Sequence, residues 1–381
     1  MLLFWYGLLS TIYWVCTSIY LSVNRRKIKF LTEIPAAISD TKPGVAIIIP
    51  VRNEEANLEE ALTSVCRLNY PNYRILVIND RSTDRTPEIL RRFAGNEPRV
   101  TVVTIEELPP GWLGKNHALY QGFNQSREEW MLFTDADVVY APEALDKAMH
   151  YAQQQQLDYL TILPEIKSRS SVLVGVISTF KIMLEFKLRP WDARKQNTKA
   201  YMGVGAFMLL KRTAYEKAGT HQAIALRPDD DLKLGELVKK ARFRLDVLYG
   251  DKQIGLEWYT NIREFTQGLM KNTFSVANYN IFIALVGVVG TLLAFVLPWP
   301  LLLLLGGPTE RFMVLLIFLS QLALYLPWKS MAIKWWHVLL MPLAGLLISY
   351  IILKSTYLTL KQGGIYWRDS FYPLSELRKN A

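Results

Sequence analysis

The first 23 residues carry no charged side chain, and Arg25, Arg26 and Lys27 follow almost at once. A helix needs ~20 apolar residues to cross a hydrocarbon core, so this stretch is long enough to span. A cleaved leader carries its positive charge ahead of the apolar run. Here the charge comes after it, and no small-residue cleavage site lies near Leu21. The expectation is a retained transmembrane helix over residues 1–23. Basic flanks stay inside, which puts its N-terminus outside and the following chain in the cytosol.

Three more uncharged stretches lie near the C-terminus, at residues 272–309, 312–328 and 335–353. The first is long enough to span, and Pro298 and Pro300 mark an exit or a kink. The second is at the lower limit of spanning length and fits a re-entrant or interfacial segment as well. Trp299, Trp328, Trp335 and Trp336 sit at segment edges, as in an aromatic belt. Three late crossings would put residues 363–381 outside, yet Arg368, Arg378 and Lys379 favour the cytosol. The sequence leaves that conflict open.

Between these ends the chain reads as a water-soluble domain. Residues 45–50 form a continuous apolar run, the pattern of a buried strand, and residues 54–66 carry Leu58, Ala61, Leu62 and Val65 at helical spacing. Further strands are expected at 75–79, 100–105 and 130–133. Helices are expected after Thr86 (as N-cap, with Pro87 at the first helical position), over 115–123 and after Pro142. Such alternation implies an α/β fold with a mostly parallel sheet and helices on both faces. Ligands of these sheets bind at the carboxyl ends of the strands. Residues 172–188 are apolar with spaced charges at Lys181, Glu185 and Lys187, which suits a core helix or one lying in a membrane interface.

The net charge of +10 comes with no nucleic-acid motif and fits a face lying on anionic lipid; no nucleic-acid partner is expected. Cys16 and Cys66 cannot pair, in keeping with a cytosolic domain. His117, His150, His221 and His337 lack metal spacing.

The residues suited to chemistry lie at the expected strand ends. Thr134-Asp135-Ala136-Asp137 follows a buried strand. Two carboxylates there need neutralising, and a hard divalent cation completed by phosphate oxygens would do so. Asp80 ends the second strand within Asn79-Asp80-Arg81-Ser82-Thr83-Asp84, where it could accept hydrogen bonds from a base or ribose, while Asp84 suits turn and capping chemistry. Glu54 follows the first strand in Pro50-Val51-Arg52-Asn53-Glu54. Gly111-Trp112-Leu113-Gly114-Lys115-Asn116 offers close backbone approach and a point charge for phosphate. Asp229-Asp230-Asp231 opens a helix, and crowding of like charges raises at least one carboxyl pKa, as a general base requires.

As an ordered set, these motifs resemble family 2 glycosyltransferases with the GT-A fold, a Rossmann-like sheet, over about residues 45–250. Within that family the chain looks most like membrane enzymes related to hopene-associated, carotenoid-acid and ceramide glycosyltransferases, to which Gly203-Val204-Gly205-Ala206-Phe207-Met208-Leu209 and the segment 258–271 add support. The resemblance implies that Glu54 and Asp80 hold the uracil and ribose of a UDP-sugar. It implies that Lys115 meets the nucleotide or its phosphate, that Asp135 holds ribose and helps organise the site, and that Asp137, with Asp135, ligates Mg²⁺ or Mn²⁺. Asp231 would be the catalytic base, with Asp230 where the family has Glu. Processive synthases of the family carry Gln-x-x-Arg-Trp after the base. Asn261-Ile262-Arg263-Glu264-Phe265 stands here instead.

The expected organisation is therefore a transmembrane helix at 1–23, a basic connector at 24–43 and a cytosolic GT-A catalytic domain at 44–255. An amphipathic interface segment at 256–279, two or three membrane helices at 280–360 and a basic tail at 361–381 complete it. The expected activity is inverting transfer of a sugar from a UDP-sugar to a hydroxyl or carboxyl of a lipid acceptor, at the inner cell membrane. A processive polysaccharide synthase and a catalytically silent nucleotide-sugar-binding membrane protein are the alternatives.

Overall fold

Alternation along the first apolar run decides how the sheet is covered. In β1 (Val45–Val51), Ala46 and Ile48 face one core and Val45, Ile47 and Ile49 the other. The computed structural model describes residues 1–35, 42–270, 272–325, 333–367 and 370–379. Lys271, Trp328 and Arg368, named above, lie outside the described residues. β2 (Tyr73–Asp80), β3 (Val100–Ile105) and β4 (Trp130–Phe133) join β1 in a seven-stranded sheet with Tyr159–Leu163, Met208–Lys211 and Leu245–Tyr249. From one edge the order is β3, β2, β1, β4, then the strands at 208–211, 159–163 and 245–249. Every strand but Met208–Lys211 runs the same way, as expected of a mostly parallel sheet.

Helices α2 (Leu58–Cys66), α3 (Thr86–Asn96) and α5 (Ala144–Gln154) cover one face, and α4 (Gly114–Gln125) covers the other. Two expected helix starts are corrected. The segment from Glu54 does not turn helical until Leu58, because Asn53 (φ 55°) takes a bond from Thr83 N–H and gives its own N–H to Ser82. Thr86 is not the N-cap of α3. Its hydroxyl accepts the Glu54 N–H at 2.9 Å, and Asp84 accepts the Thr86 N–H at 3.0 Å in its place. The basic connector also does more than link. Phe30 bridges Tyr249, and Tyr249 N–H donates to Lys29 O, which extends the sheet edge.

Helix α1 (Leu2–Arg25) and the helix Trp335–Gln362 are long and apolar enough to cross a membrane. A third candidate is the pair Ile281–Val296 and Pro298–Leu304, bent by 43°. The bend coincides with a π-turn at Leu292–Val296 and with Pro298, two of the recognised causes of helix kinks. Helix α1 is tied to this group by Trp14 Nε1, which donates to Ala294 O at 2.8 Å. It is tied to α6 (Ser171–Leu188) by the Arg25–Glu185 ion pair at 2.6 Å. Helix α6 is mostly core, with Val174, Ile177, Lys181 and Glu185 all buried, but it leaves Val172 and Phe186 exposed.

The tail bears on the conflict left open by the sequence. Ile365, Tyr372 and Leu377 share one apolar cluster with Leu113 and Leu226 of the sheet domain, and Arg378 donates to Tyr279 O. The tail thus lies on the sheet domain's side, and any crossings between Leu256 and Gly364 must be even in number. In sealed vesicles, a Ser375→Cys variant should label with an impermeant maleimide from the same side as Arg91→Cys. Leu2→Cys should label from the opposite side.

Candidate active site

Three strand ends and two helix starts converge. Asp80 ends β2, Asp135 and Asp137 follow β4, Lys115 lies in the first turn of α4, and Asp230 and Asp231 open the helix Asp230–Lys240. Lys115 Nζ is 2.8 Å from Asp135 Oδ1 and 3.6 Å from Asp230 Oδ2. These carboxylates, with Asp231, raise the Lys115 pKa although its burial opposes them. The ammonium remains charged across the physiological range.

Three glycines make the convergence possible. A Cβ on Gly205 would stand 2.4 Å from Asp135 Oδ2 and 3.2 Å from Lys115 Nζ. A Cβ on Gly203 would stand 1.8 Å from the Asp231 carbonyl oxygen, and one on Gly235 would stand 2.3 Å from Met202 O. The start of the Asp230–Lys240 helix therefore packs backbone against backbone on residues 202–205. Asp231 Oδ2 accepts the Gly205 N–H at 3.1 Å and Oδ1 accepts the Leu232 N–H at 2.7 Å.

Below the helix start, Arg227 and Asp229 form a two-pronged ion pair at 2.9 and 2.8 Å, with Arg227 fully buried. Asp229 is thereby committed to structure and makes no side-chain cap. Asn116 holds the same region from the other side, since its Nδ2 donates to the carbonyls of Ile224, Ala225 and Arg227.

The carboxylates differ in exposure and titration. Asp230 is buried, whereas Asp231 is half-buried. Burial raises both pKa values, and Lys115 opposes the rise. The Asp137 carboxylate pairs with no other side chain among the described residues, and burial, then Asp135 and Glu54, push it up to about 7, against a bond from its own backbone. Glu54 thus lies within electrostatic reach of Asp137. Asp80 is joined to the group through Gly114, where a Cβ would fall 2.2 Å from Asp80 Oδ2. Its carboxylate is gripped by Arg81 at 2.7 Å, with Arg52 at 3.8 Å. His221 stands apart. It is buried against Phe133 and bonded to Tyr215 at 2.6 Å, and burial, then Lys115, push its imidazole down to about 3, so it stays neutral.

Sequence reasoning missed several of these parts. Gly203 and Gly205 counted there only towards a resemblance, and the small-x-small spacing ahead of a strand was the available signal. Tyr259 was not singled out. Its phenol is pushed up to about 12 by burial, then by Asp137 and Asp135, so the segment before the helix Ile262–Met270 borders the site. Nothing in the local sequence marks it.

The fold is a mixed α/β one built on a seven-stranded sheet, with a cluster of carboxylates around Lys115. Residues 46–219, a little under half of the chain, match the family described as Glycosyl transferase family 2. The chain is 28% identical over 220 residues to the poly-beta-1,6-N-acetyl-D-glucosamine synthase of Staphylococcus aureus (strain COL), covering 57% of this chain and 51% of that protein. The Staphylococcus epidermidis protein of the same name matches to the same extent. The match therefore spans about half the length of these relatives. Among solved structures, a mannosyltransferase from Pyrobaculum calidifontis in complex with GDP-Man and Mn²⁺ covers 92% of this chain and 99% of its own, with TM-score 0.56 and 18% identity. That likeness shows the shared fold.

Two outcomes are expected. The folded state holds more protons than the unfolded chain between the ordinary carboxylate range, near ~4, and about 7. Stability should therefore fall as pH rises through that window and level off above it, and Asp230→Asn should flatten the slope; thermal unfolding against pH without divalent ions reads both. Arg227→Ala leaves Asp229 buried without its partner and should cost about 3 kcal/mol, seen as a lowered Tm.

Proposed function

We propose that the chain is an inverting glycosyltransferase that moves a sugar from a UDP-sugar to a hydroxyl or carboxyl of a membrane lipid. The observation that carries this reading is the meeting of Asp231, Lys115 and Asp135 around Gly205. Asp231 is the base. Its half-exposed carboxylate keeps lone pairs beyond the two backbone bonds, and its raised pKa suits proton abstraction. It takes the acceptor proton, the acceptor oxygen attacks the anomeric carbon, and the sugar–diphosphate bond breaks on the opposite face with its electron pair leaving on UDP. Lys115 supplies fixed positive charge beside that leaving group. Glu54 and Asp80 face the uracil and ribose, and Arg81 must swing aside for Asp80 to do so.

The donor set fits a hard divalent cation. Among the described residues Asp137 pairs with no other side chain, Asp135 pairs with one cation, and no group of three or more His, Cys, Asp or Glu poised for a metal occurs. Asp135 and Asp137 would hold Mg²⁺ or Mn²⁺, with the remaining ligands coming from phosphate and water. When bound, the ion stabilises charge on the departing diphosphate.

Arg25, Arg26 and Lys27 after α1 support a cytosolic sheet domain at a bacterial inner membrane, and a lipid acceptor suits a site flanked by apolar helices. The names of the Staphylococcus relatives favour a second reading, a polysaccharide synthase. The missing Gln-x-x-Arg-Trp speaks against it. Product size decides between them: purified protein given UDP-sugars and lipid extract should yield a lipid heavier by one sugar, and long polymers would establish the second reading.

Asp231→Asn should lower kcat by about 10²–10⁴ with donor KM little changed. If Asp230→Asn does this and Asp231→Asn does not, the base lies one residue earlier. Asp137→Ala should abolish the response of UDP release to added Mn²⁺.

A further inference from the structure

A groove of about 590 Å³ lies between α1 and α6, far along the chain from the acidic centre. Helix α1 lines it with Ile12, Tyr13, Thr17 and Tyr20, and α6 with Phe186 and Arg189. Phe186 sits between the rings of Tyr13 and Tyr20, at 6.3 and 6.4 Å. The stretch from Ile12 to Tyr20 runs about 12 Å at 1.5 Å per residue, most of one leaflet of a ~30 Å core. Its Tyr20 end points toward Arg25, Arg26 and Lys27, the headgroup level of a crossing α1.

The polar end of the groove is Arg189. It caps α6 in the left-handed conformation, φ 50° and ψ 60°, where glycine would fit without strain. Arginine stands there nonetheless. It is exposed, and no carboxylate pairs with it among the described residues. Arg25 is paired with Glu185, and among the residues lining the groove the cation is Arg189. An apolar slot of acyl-chain length ending in an unpaired guanidinium is complementary to a lipid with a phosphate headgroup.

Side chains near the end of α6 point to different sides. Phe186 of α6 and Arg189, the residue that caps it, both line the groove. Lys187 points elsewhere: its Nζ bonds Val276 O at 3.5 Å, and it feels the charge of Asp229. The side of α6 that faces Val276 and Asp229 is therefore not the side that lines the groove. We propose that this groove binds an anionic bilayer phospholipid as a resident, non-substrate ligand, with its chain along Ile12–Tyr20 and its phosphate on Arg189.

This inference rests on the membrane placement proposed above, though not on the transfer chemistry. A chain recovered in the soluble fraction would fail that placement, whereas a membrane-embedded chain without lipid preference would fail only this inference. The test uses the full chain in detergent and in bilayers of phosphatidylcholine with or without phosphatidylglycerol. Native mass spectrometry should find one phosphatidylglycerol retained over phosphatidylcholine. Arg189→Gly, which keeps the left-handed backbone, should weaken that retention roughly fivefold, the effect of one lost juxtamembrane cation. Cys16→Trp, at an exposed residue that also lines the groove, should fill the slot and abolish retention while the Tm in phosphatidylcholine stays near wild type. Equal retention of both lipids, or unchanged retention in Arg189→Gly, overturns the proposal. So does the appearance of a sugar on the retained lipid after incubation with donor, which would make the groove an acceptor site.

Discussion

Lys115 is the charge on which the site depends. Asp135, Asp137, Asp230 and Asp231 are gathered where water is scarce, and a buried carboxylate without a partner is costly. One ammonium reaching Asp135 and Asp230 makes the cluster tolerable without neutralising it. Burial first, and the neighbouring carboxylates after it, raise the carboxyl pKa values of Asp137 and Asp230. A site left short of positive charge in this way suits the divalent cation proposed above. The fold supplies the geometry: β4 and α4 end and begin at the same edge of the sheet, and Gly205 leaves room for Asp135 and Lys115 to meet.

The sheet was legible because its signals are local. The apolar run at 45–50 and its alternation assign β1 and both covering layers, and the observed strands at 100–105 and 130–133 have the expected bounds. Helix starts were less legible, because they depend on distant partners. Thr86 has the composition of an N-cap, yet its hydroxyl is claimed by the Glu54 backbone from another strand end. The acidic positions could be named from motifs, while their relations could not. No spacing rule places Asp231 against the Gly205 amide or commits Asp229 to Arg227. Tyr259 stayed invisible for the same reason, since it reaches the carboxylates through tertiary packing.

The membrane-flanking helices show a related limit. Length and hydropathy identify helices able to cross, but not how many do. The placement of the tail against Leu113 and Leu226 supplies the parity that composition lacks. It also joins the two ends of the chain's architecture. Arg25 bonds both Glu185 of α6 and the Leu324 carbonyl, so the first helix, the central helix and the C-terminal bundle meet at one level.

The glycine contacts at positions 203 and 235 carry an evolutionary consequence. With backbone meeting backbone, the helix bearing Asp230 and Asp231 cannot slide relative to the strand that follows residues 202–205. The carboxylates and the sheet edge form one mechanical piece. Descendants of such a chain cannot acquire a bulkier or differently shaped acceptor by loosening this joint. New selectivity would have to be drafted into the surrounding cover, the 256–279 segment and the C-terminal tail, rather than into the joint.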